Sequence, residues 1–223
     1  MRKIQVLATI VAGLVMAVAS CPAAAQSASP HPVRGSAFAL GVHLGFASFA
    51  LVEWDRGPNS RGPDESSSSF TSRFRWCTMA IVELTAAQTN VAGLNSFLAT
   101  GYRDALLAAP DLGARGQGTC PNHSYVVVIR GQYSAALTHG PSDVANAYNL
   151  GVNIGIAEIQ ASAGEPTRQI VISALGYARA QIGPLGLDPG PLEEAIGLAS
   201  GGAPMGQVYE KILSARSTYQ SLL

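Results

Sequence analysis

Small residues recur at every fourth position in two separated stretches of this chain, and that spacing constrains the fold more than any other feature. Residues 37–47 read Ala-Phe-Ala-Leu-Gly-Val-His-Leu-Gly-Phe-Ala, and residues 147–157 read Ala-Tyr-Asn-Leu-Gly-Val-Asn-Ile-Gly-Ile-Ala. On a helix, Ala37, Gly41 and Gly45 fall on one side, as do Ala147, Gly151 and Gly155. Such a stripe is a smooth groove into which a second helix can settle with backbone close to backbone. Each interior glycine costs roughly 1 kcal/mol against alanine, so close packing has to offset four of them. The pattern predicts that these two helices cross each other, or that each crosses a neighbour, at the centre of the fold. Together with a weaker echo, Ala99-Thr100-Gly101-Tyr102 against Ala174-Leu175-Gly176-Tyr177, the pair hints at an old duplication whose offset is not constant.

The first copy is apolar nearly all round from 36 to 52, which suits a buried central helix or a membrane segment. A length of about 17 residues and the presence of His43 favour burial. His43 and Asn153 occupy equivalent positions in the two copies. If the helices cross, both are candidates to line one interior pocket with Asn149 and Gln160, a polar cluster that would hold a small ligand.

Proline and glycine punctuate the rest. Pro121, Pro141, Pro166, Pro191 and Pro204 stand near the starts of apolar segments, and Gly140, Gly164, Gly183 and Gly201-Gly202 at or past their ends. Proline suits the first helical turn, where its missing N–H has no partner, and glycine suits the position beyond the last turn. The implied helices run over 121–139, 141–163, 166–182, 190–200 and 204–222. Tyr125 to Ile129 alone reads as a strand, but its frame and the continuation to Tyr133 and Leu137 favour helix. Ala80, Leu84, Ala87, Val91, Leu94, Leu98, Gly101 and Ala105 form a heptad stripe, and Met205, Val208, Ile212, Ala215, Tyr219 and Leu222 form another. Stripes of this kind pack helices at shallow angles. The expected fold is all-α, a bundle of about five to seven helices with Gly/Ala-rich close crossings, in one domain over 36–223. Residues 26–35 are expected to be a flexible N-terminus, and the Ser/Gly/Pro-rich stretch 55–75 a flexible loop.

Residues 1–25 have the form of an export signal. Arg2 and Lys3 are followed by an uncharged apolar run and by Pro22-Ala23-Ala24-Ala25 before Gln26, an A-x-A type cleavage site. The alternative is a lipoprotein signal at Val18-Ala19-Ser20-Cys21, with Cys21 acylated. Either reading places the working chain in the periplasm or outside the cell, with no transmembrane helix after cleavage. Cys77 and Cys120 then remain, an even pair in an oxidising compartment, and are expected to form a disulfide. Closing the loop of 43 residues between them is worth roughly 3–4 kcal/mol in the chain-entropy model.

Charge and motifs exclude more than they assign. The chain carries 14 basic and 14 acidic residues, and the leader removes Arg2 and Lys3 and no acid. A balance so close to neutral gives no footing for nucleic acid. Cys120-Pro121-Asn122-His123 has features of a reactive thiol at a helix start, because the helix dipole lowers a thiol pKa there. It lacks the second cysteine of C-x-x-C. Cys120, His123 and Cys77 fall short of a structural zinc set. Glu193-Glu194 sits in a first helical turn, where it complements the dipole. No nucleophile elbow, phosphate loop, metal motif or cofactor motif is present. The expectation is an exported, non-catalytic structural or interaction protein with an unknown protein partner. A helical module for a small ligand is the alternative, and an enzyme with a scattered redox or hydrolytic site comes third.

Overall fold

The computed structural model describes residues 32–56, 69–94 and 120–223, and every regular element within them is helical. They are α1 (Pro32–Arg56), α2 (Ser69–Val91, running into a 3-10 turn at Ala92–Leu94), α3 (His123–Leu137), α4 (Ser142–Ser162), α5 (Arg168–Leu185, preceded by a 3-10 turn at Glu165–Thr167), α6 (Gly190–Ser200) and α7 (Met205–Leu222). The all-α bundle expected from the sequence is the fold that forms, and residues 125–129 are helical.

Helices α1 and α4 are its centre, and their four glycines explain why. A Cβ built on Gly41 would fall under 3.0 Å from the backbone of Tyr148 and Val152, and one on Gly45 would meet Val152. A Cβ on Gly151 would meet the backbone of Phe38 and Val42, and one on Gly155 that of Val42 and Phe46. Only hydrogen fits at these positions. The contacts are also reciprocal. Gly41 faces Tyr148 and Val152, while its repeat equivalent Gly151 faces Phe38 and Val42, which are the repeat equivalents of those two residues. Self-complementary contact of this kind is the mark of a two-fold relation. The helices run parallel, in register, about a local two-fold axis inside one chain.

The other helices follow the same axis. α2 lies on α1 and α5 lies on α4. α3 packs mainly on α1 and secondarily on α4, while α7 packs on α6 and α4 and more weakly on α1. Side-chain pairs set the directions. Ser48 meets Arg130 and Asp55 approaches His123, so α3 runs antiparallel to α1. Glu158 meets Arg216 and Glu165 accepts from the Met205 amide, so α7 runs antiparallel to α4. α6 bridges α5 and α7. Where the α1 stretch is apolar enough to cross a membrane by length and composition, nearly three quarters of it is buried within the fold.

Several boundaries depart from the sequence expectation. α1 begins at Pro32, inside the expected flexible segment 26–35, because proline at a first helical position leaves no unpaired N–H. Of the expected loop 55–75, residues 55–56 belong to α1 and 69–75 to α2. Buried Glu53 and the approach of Asp55 to His123 hold the last turn of α1 in place. α5 does not stop at Gly183. It continues through Pro184 to Leu185 and is closed by Gly186 at φ 68°, where the Leu187 amide reaches back to the Ile182 carbonyl (3.2 Å). The α3 cap is Asn122, whose side chain accepts from the Tyr125 amide, rather than Cys120. Ala80, Leu84, Ala87, Val91 and Leu94 are buried as the heptad requires. Leu98, Gly101, Ala105 and the echo at 99–102 lie outside the described residues, as do the leader, Cys21 and Gln26. Met205, Val208, Ile212, Ala215 and Tyr219 are buried along α7, but Leu222 is exposed.

Candidate functional site

Polar groups flank the α1–α4 crossing on two sides, and the local two-fold relates the sides to each other. On the first, His43 of α1 points at α2, where its Nδ1 lies 2.6 Å from Glu83 Oε2. Beside this pair, Arg216 Nη1 from α7 donates to both carboxylate oxygens of Glu158 on α4 (3.0 and 2.8 Å). Glu158 is buried and Arg216 is largely so. Burial pushes the Glu158 carboxyl above its ordinary value; Arg216 opposes this, and Glu83 and His43 act on it in opposite senses. Four elements thus converge on one small charge network.

On the second side, Arg130 of α3 donates from Nη1 to Ser48 Oγ on α1 (2.8 Å), and Ser48 Oγ donates in turn to the Gly45 carbonyl (2.9 Å). The Tyr148 hydroxyl of α4 donates to the Arg130 carbonyl (2.8 Å). Ser134 of α3 donates to Asn149 Oδ1 of α4 (3.3 Å), and Asn153 Nδ2 donates to the Asn149 carbonyl (2.8 Å). Burial pushes the Arg130 guanidinium below its ordinary value, with the Tyr148 phenol opposing. The same burial pushes that phenol up.

The four residues grouped from the sequence as one pocket are therefore divided. His43 belongs to the first side, Asn149 and Asn153 to the second, and Gln160 to neither. Gln160 is buried near the end of the crossing. There its Nε2 lies 3.5 Å from Glu53 Oε1, its carbonyl accepts from the Thr167 hydroxyl, and its Oε1 has no hydrogen-bond partner among the described residues. The physical reason is the two-fold itself. Residues at equivalent positions beside a two-fold seam face away from each other, so equivalence in the repeat sends His43 and Asn153 to opposite sides. Between Gly41, Gly45, Gly151 and Gly155 the space is filled by main chain.

Cys77 and Cys120 are bridged, which ties α2 to the chain just before α3. No group of three or more His, Cys, Asp or Glu suited to a metal ion occurs among the described residues. A surface depression of about 320 Å³ lies at the C-terminal end of α5, lined by Gly176, Arg179, Ile182 and Leu187, and Arg179 there pairs with exposed Glu193. Sequence reasoning missed Ser48, Arg130, Glu158 and Arg216. The signal was one residue beyond the repeat: carried past Ala47 and Ala157, the alignment sets Ser48 against Glu158, a carboxylate inside an otherwise apolar run. No protein-family model, curated protein or solved structure matches this chain.

Proposed function

We propose that this is an exported, non-catalytic helical protein of the periplasm or cell envelope, whose role is structural or consists in engaging a protein partner. The observation that carries the reading is the closed α1–α4 crossing. An apolar ligand module would need space beside the glycines, and main chain takes that space. The bridge adds support. Cys120, whose setting before a helix suggested redox chemistry, is joined to Cys77, and such bridges belong to oxidising compartments. His43 is engaged with Glu83 rather than with a nucleophile.

Intact mass of the protein recovered from its host envelope, before and after reduction and thiol labelling, tests the proposal. A chain starting at Gln26, with Cys77 and Cys120 labelled only after reduction, is the expected outcome. A chain starting at acylated Cys21 keeps the export reading and moves the protein to a membrane surface. Thiols that label without reduction, or a cytosolic chain starting at Met1, overturn it.

A further inference from the structure

The outer helices α2 and α5 carry matching buried stripes. On α2 the stripe is Ala80, Leu84, Ala87, Val91 and Leu94, and on α5 it is Val171, Leu175, Ala178, Ile182 and Leu185. Set in register, α2 has alanine for valine at the first position and valine for isoleucine at the fourth. At these positions it therefore buries less apolar side chain against its central helix. Three residues ahead of each stripe, the same register sets Cys77 against Arg168. Both tie the start of an outer helix to the chain that enters an antiparallel helix. Arg168 donates to the Ala199 and Ala203 carbonyls (2.8 and 2.7 Å), ahead of α7. Cys77 is bonded to Cys120, ahead of α3.

One junction is thus made by hydrogen bonds and its counterpart by a covalent bond that a thiol can undo. We infer that the Cys77–Cys120 bridge is a redox-sensitive latch on α2: its reduction lets α2 open from α1 as a unit, while α5 stays seated on α4. The packing of the two stripes supports this, because the more thinly packed helix is the one that carries the bridge.

The reductant is a dithiol. Cys120 is partly exposed and Cys77 is buried, so Cys120 Sγ is the accessible sulfur. A thiolate of the reductant attacks it, the S–S bond breaks, and Cys77 leaves as a thiolate that takes up a proton. The second thiol then attacks the reductant's own sulfur in the mixed disulfide, which releases Cys120 as a thiol and closes the reductant's disulfide. Two electrons and two protons pass to the chain. The loop of 43 residues is then open, and α2 gains on opening the chain entropy that the bridge withheld. Opening uncovers the side of α1 that faces α2 and parts His43 from Glu83. The inference stands apart from the export reading, because it concerns the two redox forms of the purified chain.

The test is amide hydrogen exchange on the full chain at neutral pH, oxidised and after dithiothreitol, with the amides of α4 as the internal standard. That standard removes the general loss of stability that any broken bridge brings. On reduction the α2 amides should exchange about 100-fold faster relative to α4 than they do in the oxidised chain. The α5 amides should keep their place relative to α4. A chain carrying both Cys77→Ser and Cys120→Ser should show the reduced pattern without reductant; if it fails to fold, reoxidation of the reduced wild-type chain should restore the oxidised pattern instead. Equal losses in α2 and α5, or an α2 that keeps its place relative to α4 after reduction, would each overturn the assignment.

Discussion

The two faces of the central crossing share a backbone and differ in charge. Both are built from a helix with glycines four residues apart, a second helix laid along it, and an antiparallel helix bringing in an arginine. At the seam the two copies keep the same glycines, Gly41 with Gly151 and Gly45 with Gly155, because the approach of the backbones admits nothing larger where they touch, and they also share Val42 with Val152. At the flanks they part: His43 against Asn153, and Ser48 against Glu158. Packing at the seam dictates identity, whereas the flanks are open enough to take whatever chemistry suits each side. One flank has closed into an internal charge network, and on the other Arg130 meets the Ser48 and Tyr148 hydroxyls.

The sharpest way to break this comparison is at the seam. If the two-fold is real, equivalent substitutions cost equally. Gly41→Ala and Gly151→Ala each place a methyl group against main chain of the opposing helix, which cannot move aside as a side chain can. Each should destabilise the fold by about 2–4 kcal/mol, in the range of overpacked cores. Gly176→Ala, where nothing lies within 4 Å, should instead stabilise by about 0.5–1 kcal/mol. Chemical denaturation of the oxidised protein measures all three. A difference above about 1 kcal/mol between the equivalent seam variants would show that the two halves are not interchangeable.

The seam was legible in the sequence because steric exclusion leaves a strong mark: glycine is a poor helix former, so its recurrence at helical spacing points to a close backbone approach. Helix existence was legible for a similar reason, since proline and glycine act locally. Boundaries were less so. Pro184 lies within the last turn of α5, and the cap is decided by the backbone at Gly186, which Gly183 imitates in sequence. The flanks were the hardest to read. Arg130 and Arg216 come from helices remote in sequence, and neither forms a motif with its partner. The grouping of His43 with Asn153, Asn149 and Gln160 failed because repeat equivalence is not proximity: a two-fold sends equivalent flanking residues apart.

The next contrast lies between the arginines. Arg216→Met leaves the Glu158 carboxyl buried without its cation, which costs several kcal/mol in a dry site. Glu158 limits the loss by taking up a proton, so about 2–3 kcal/mol is expected. Arg130→Met removes a partly exposed cation whose guanidinium meets one hydroxyl among the described residues, and it should fall within about 1 kcal/mol of wild type. Urea midpoints for the two variants measured side by side decide the matter. If Arg130→Met proves as damaging as Arg216→Met, Arg130 has structural work on its own face and the faces are more alike than their partners suggest.

The smallest effect is a pH dependence confined to one face. Glu158 has its folded pKa raised above the ordinary 4.5, burial being the largest cause. Between 4.5 and the raised value the folded chain holds a proton that the unfolded chain has released. The unfolded state then binds fewer protons, so the stability associated with this group is fully present below 4.5 and declines as pH rises through the interval. Asp143, paired with Arg34, behaves in the opposite way: its pKa lies below 3.8, and its contribution is lost as pH falls through that lower range. The two windows do not overlap. Glu158→Gln should therefore flatten the decline above pH 4.5 and leave the acid limb below 3.8 in place, as read from thermal midpoints across both ranges. Ser48 cannot titrate, and Ser48→Ala should leave the profile of the wild-type chain unchanged in shape. A Glu158→Gln profile parallel to wild type would mean that Arg216 holds the carboxylate ionised in spite of its burial, and that its face is as indifferent to pH as the Arg130 face.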